Sequence, residues 1–178
     1  MTEYDRNHIL TILNNCDKYT EGEVEVAIAE LGHVAEPEDK DILYSFLDSP
    51  NKEIVSVALM SLWLGLDEHK NMKDKIVQYA SDFTDDSSLL DSATGALVAI
   101  IKEEPQMLNV LIKIAESYKM IDKEDESFEF INNVRSWQEL AELAGKPLSK
   151  EETNTLYNYP LSEESETIRN QIRAEYKK

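Results

Sequence analysis

The chain alternates between apolar rows at helical spacing and brief polar breaks. In the stretch FLDSPNKEIVSVALMSLWLG, running from Phe46 to Gly65, Ser49-Pro50-Asn51 separates two such rows. Upstream, Pro37 suits a first helical turn and is followed by acidic Glu38, Asp39 and Asp41. Ile42, Leu43, Phe46 and Leu47 then share one helix face. Downstream, Ile54, Val55, Ala58, Leu59, Leu62, Trp63 and Leu66 make the stripe of a helix over 52–66. A joint this short folds the two helices back as a hairpin. The same reading predicts helices over 3–15, 21–34, 37–48, 68–82, 86–103 and 105–120. A long helix should start near residue 123, with Phe128, Ile131, Val134, Leu140 and Leu143 apolar, and stop at Gly145. Residues 146–162 read as loop with at most one short helix. Ser162 caps a last helix, acidic at its start (Glu163, Glu164, Glu166) and basic toward its end (Arg169, Arg173, Lys177, Lys178), which suits the helix dipole.

The second helix of each pair carries a recurring signature. A small residue is followed one turn later by leucine: Ala27 and Leu31, Ala58 and Leu62, Ala93 and Leu97. The offsets are 31 residues from Ala27 to Ala58 and 35 from Ala58 to Ala93. A small side chain lets neighbouring helices approach, and the leucine above it fills the gap. A period of roughly 30–45 residues with two helices per unit marks an α-solenoid. No Ala/Leu pair is found for a fourth unit. The expected fold is therefore all-α, a solenoid of antiparallel helix pairs. It should form one domain over 1–178, with 146–178 a less regular C-terminal cap.

The segment LYSFLDSPNKEIVSVALMSLWLG resembles a HEAT repeat. Leu43, Phe46 and Leu47 look like its first-helix apolar set, Asp48 to Asn51 like its turn, and Ile54, Ala58 and Leu62 like its second-helix signature. The arginine that many such repeats carry early in the second helix is missing; Ser56 stands near that place. The resemblance covers residues 21–104. It implies a curved stack of helix pairs whose concave surface holds another macromolecule.

Composition agrees with helices and short connections: only 5 Gly and 5 Pro occur in 178 residues, and 42% of residues are hydrophobic. Charge narrows the partner. Eighteen Lys and Arg against 36 Asp and Glu give a net charge of −18. Such a chain has no surplus of cations for nucleic acid phosphates or anionic lipid, so neither is an expected partner. A basic protein is. No apolar run is long enough to span a membrane, and the N-terminus MTEYDRNHILTILNNC has no apolar signal core, so the expected location is cytoplasmic.

The sequence carries few candidate groups for catalysis or metal binding. Cys16 is the single cysteine, and His8 lies too far along the same helix to serve it as a base, so a structural role is expected. His8, His33 and His69 show no zinc-ligand spacing. No phosphate-binding loop, dinucleotide fingerprint or nucleophile elbow occurs. DKEDESFEFINN is rich in carboxylates, but it lacks the turn glycine of a calcium loop and carries Phe128 and Phe130. No metal, cofactor or catalytic residue is expected, and the chain is not expected to be an enzyme. The resemblance would admit a DNA glycosylase, but the charge opposes one.

The candidate partner contacts are carboxylates at or near second-helix starts: Glu23, Glu25, Glu53, Asp85, Asp86, Asp91, Glu124, Asp125 and Glu126. In a solenoid these positions align along one edge, although helix-start carboxylates also simply favour the dipole. Trp137, in the polar stretch VRSWQEL, is a candidate exposed anchor, whereas Trp63 reads as core. Tyr157 and Tyr159 fall in the expected loop and suit either contact or packing. A small acidic chain of this form resembles the immunity proteins of bacterial toxin systems, which implies binding and occlusion of a basic toxin, such as a nuclease. A general scaffold or adaptor for an intracellular protein is the alternative, and a small enzyme or maturation factor a third.

Overall fold

The helices begin where side chains cap them. A computed structural model describes residues 5–81, 87–116 and 129–176. Asp5 caps α1 (Arg6–Leu13), and Thr20 and Glu23 form a reciprocal capping box on α2 (Glu21–Val34). Asn51 accepts from the Glu53 and Ile54 backbone N–H groups to open α4 (Lys52–Met60). Between them lies α3 (Lys40–Ser45), bracketed by single 3-10 turns at Pro37–Asp39 and Phe46–Asp48. Then follow α5 (Lys73–Ser81), α6 (Ser87–Glu103), α7 (Leu108–Glu116), α8 (Glu129–Leu143), α9 (Lys150–Asn158) and α10 (Glu163–Glu175). No strand occurs among the described residues, so the chain is all-α.

Each of α1, α3, α5 and α7 packs against the helix that follows it. The even-numbered helices also pack in succession, α2 on α4, α4 on α6 and α6 on α8. Specific contacts give their direction. Asn51 Nδ2 donates to Glu21 at 3.1 Å near the starts of α2 and α4, and Ser61 Oγ donates to the Ile28 carbonyl at 3.1 Å further along. Gly65 meets Gly32 toward the α2 end. These helices therefore run parallel. Between α4 and α6, the buried hydroxyls of Ser56 and Ser92 share a hydrogen bond of 2.8 Å, and the Trp63 ring lies on Gly95. Ser56, the departure from the HEAT pattern, thus sits at a helix contact with no room for an arginine. The C-terminal helices close over α8: α9 and α10 both contact it and each other.

The small-then-leucine positions are the core of this packing. Ala27, Leu31, Ala58, Leu62, Ala93 and Leu97 are all buried. A further pair with the same spacing lies in α8, where Ser136 and Leu140 are buried, so the fourth small position is a serine rather than an alanine.

Two elements differ from expectation. The helix expected over 52–66 is α-helical only to Met60 and continues as one wide π-turn over Ser61–Gly65. Asp67 then adopts a left-handed conformation (φ 55°), a backbone state that Asp tolerates better than most residues. This breaks the path, so Glu68–Lys70 form a 3-10 turn and α5 begins at Lys73 rather than near Glu68. The short helix allowed within 146–162 is α9, started by a further capping box between Ser149 and Glu152.

Candidate interaction face

The outward face of α2 and α4 is built by residues one turn apart. On α2, Glu25 precedes Ala29, followed by Gly32 and His33; on α4, Glu53 precedes Val57 and Met60, followed in the π-turn by Ser61 and Leu64. Side chains at i and i+4 share a helix face, so each carboxylate heads its own row. Because the two helices run parallel, Glu25 and Glu53 stand toward the same end.

Between the rows lies a trough of about 210 Å³. Its floor is made of Gly32, Ser61 and Gly65, and its walls are Ala29 and His33 on one side and Val57, Met60 and Leu64 on the other. The floor can be this low because the backbones nearly touch: a Cβ at Gly65 would lie 2.3 Å from the Gly32 carbonyl oxygen. A Cβ at Gly32 would lie 2.5 Å from Ser61 Oγ. The π-turn supplies three of the lining residues, and wide turns of this kind recur at functional sites. Two of the walls are apolar and open to solvent, Leu64 being 64% exposed and Met60 42%.

Beyond Trp63 the face turns polar. Arg135 Nη1 on α8 donates to the Asp91 carboxylate of α6 at 2.6 and 2.7 Å, and Arg135 Nε lies 3.8 Å from Glu139. Burial pushes the Glu139 carboxyl above its usual range; Arg135 opposes that shift and Glu142 adds to it.

The expected contact residues are therefore dispersed. Glu25 is half-buried and Glu53 exposed on the trough face, and neither meets a cation among the described residues. Glu23 is engaged locally: Thr20 N–H and hydroxyl donate to it, which lowers its carboxyl below the usual range. Asp91 is held by Arg135. Asp85, Asp86, Glu124, Asp125 and Glu126 lie outside the described residues. Trp137 corrects the expectation of an exposed anchor. It is 2% exposed, with the Arg173 guanidinium 5.0 Å above its ring. Arg173 is itself held by Glu116 and Glu166, so α10 seals this ring into the core. The apolar residues presented on this face are Met60 and Leu64, both of which the stripe expected for this helix leaves out. Helical period places both away from the core side, but their position off the stripe does not by itself distinguish a contact from a solvated surface.

Two other clefts are larger, and each has a charged lining residue already engaged within the chain. One of about 400 Å³ lies between α1 and α2, where Glu23 already serves the Thr20 cap. Another of about 380 Å³ lies beneath α10, where Lys146 and Glu175 pair at 2.6 Å. The Cys16 thiol donates to the Leu13 carbonyl at 3.0 Å, and burial raises it, which disfavours the nucleophilic thiolate. His69 is buried with Asp67 2.9 Å from Nδ1 and Glu103 3.7 Å from Nε2, neither aligned as a hydrogen bond. No group of His, Cys, Asp and Glu among the described residues could hold a metal ion, and no described helix is long and apolar enough to cross a membrane. Comparison with protein-family models, curated proteins and solved structures finds no match for this chain.

Proposed function

We propose that this chain is a short HEAT-like solenoid that works by binding another protein, without catalysis, and that its target is a basic toxin it neutralises. One observation carries the reading: an apolar trough lies open on the packed even-numbered helices of a molecule with a net charge of −18. Exposed apolar side chains gathered in a concavity favour a protein contact, and the surrounding charge selects a cationic one. Neutralisation follows from occlusion, since a bound acidic domain covers a basic active surface and repels its anionic substrate. The test is protection. Cells producing the toxic product of the neighbouring gene should survive when this chain is co-produced. Death despite folded protein defeats the immunity reading; retained binding of a non-toxic basic protein would make it an adaptor.

A further inference from the structure

We infer that the trough between α2 and α4 is the docking site, and that its occupant is a cationic amphipathic helix of the partner. Such a helix would seat an apolar side chain on Gly32, Ser61 and Gly65 while its Lys or Arg residues face Glu25 and Glu53. The inference rests on the protein-binding reading above and adds the site and the shape of what fills it.

Three observations lead to this occupant. First, the trough runs between two parallel helices, and a groove of that kind receives the side-chain ridge of a third helix. Its floor carries almost no side chain, so an incoming leucine or methionine reaches the backbone level; a volume of about 210 Å³ holds such a group. Second, the walls that would close over it, Met60 and Leu64, are exposed now and lose that exposure only when something covers them. Methionine suits a contact that must adapt to its ligand. Third, the charges around the trough are unbalanced. Glu25 and Glu53 head its two walls without a cation among the described residues. Further along the same layer, Asp91 is paired with Arg135, whereas Glu25 and Glu53 have no such partner among the described residues. A second copy of this chain is a poor occupant, because each copy brings −18 to the contact.

The probe is a short labelled peptide of leucine and lysine arranged to be amphipathic as a helix, with a scrambled peptide of identical composition as its control. Fluorescence anisotropy measures binding to the full chain and to charge-neutral variants. The amphipathic peptide should bind more tightly than the scrambled one. Leu64→Asn should weaken it about tenfold. Leu161→Asn, which alters an equally exposed leucine outside the trough, should leave it unchanged. Met60→Gln repeats the test should Leu64→Asn fail to fold by circular dichroism. Absence of binding, equal affinity for both peptides, or indifference to Leu64→Asn and Met60→Gln would overturn the inference. So would a dimer of the parent that Leu64→Asn dissociates. These results are separable from the protection assay: trough-dependent binding without protection keeps the site and removes the toxin.

Discussion

Among single residues, the glycines divide sharply by their surroundings. A methyl group at Gly65 would meet the Gly32 carbonyl at 2.3 Å, and backbone cannot swing aside as a long side chain can. Gly65→Ala should therefore destabilise the fold by about 1–3 kcal/mol. At Gly22, nothing lies within 4 Å, and the helical backbone suits alanine. Gly22→Ala should stabilise by about 0.4–1 kcal/mol. Urea denaturation of both variants checks the pair, and similar midpoints would mean that α2 and α4 are not in close contact. Glu139 gives a pH-dependent case. Burial raises its carboxyl, so the folded protein holds this proton to higher pH than the unfolded chain does. Its contribution to stability is most favourable below the ordinary glutamate value and declines as pH rises through the raised one. Glu139→Gln should melt no lower than the parent at about pH 7, with its relative advantage shrinking toward about pH 4. A clear loss at neutral pH would show that the 3.8 Å pairing with Arg135 outweighs the burial.

At the scale of elements, the decisive positions are the small residues where helices meet. Ala58 is fully buried in α4, the helix that packs on both α2 and α6. Ala58→Trp should cost about 1–3 kcal/mol or more. Glu53→Gln, an exposed change in the first turn of the same helix, should shift stability by only about 0.5 kcal/mol. Thermal melts that coincide for Ala58→Trp and the parent would count against this packing. These positions were legible in the sequence because burial of one helix face imposes a period that composition cannot hide. The spacing from Ala27 to Leu97 pointed to the right helices and the right buried residues. The fourth pair is not marked in the sequence because Ser136 satisfies the same steric requirement as alanine without being apolar. Ser149 and Glu152 have the sequence form of a capping box, but the α9 segment carries so few apolar residues that its period does not fix a helix there. The π-turn was not legible at all. Its cause is tertiary: the Ser61 hydroxyl reaches the Ile28 carbonyl, and Gly65 presses on Gly32, both across helices. The trough depends on that turn, so its place was hidden as well.

Across the whole molecule, the field and the anchor should separate in the kinetics of binding. Net charge was readable from composition, whereas the layout that leaves Glu25 and Glu53 uncompensated and ties Asp91 to Arg135 required the folded arrangement. A charge of −18 acts before contact, over about a Debye length, roughly 8 Å at physiological salt. Leu64 acts only after contact, once water has left the trough. Association with a cationic partner should therefore slow steeply as salt rises, while dissociation changes less. Replacing Glu25 and Glu53 together by Gln should flatten the salt dependence of association. Leu64→Asn, which leaves the charge untouched, should keep that dependence and instead accelerate dissociation. Stopped-flow mixing across a salt series reads both rates on the same samples. An association rate indifferent to salt would mean that the acidity serves solubility alone, leaving the apolar trough to account for the contact. A dissociation rate indifferent to Leu64→Asn would place the contact elsewhere on the molecule, with the exposed Tyr159 and Leu161 between α9 and α10 the next surface to vary.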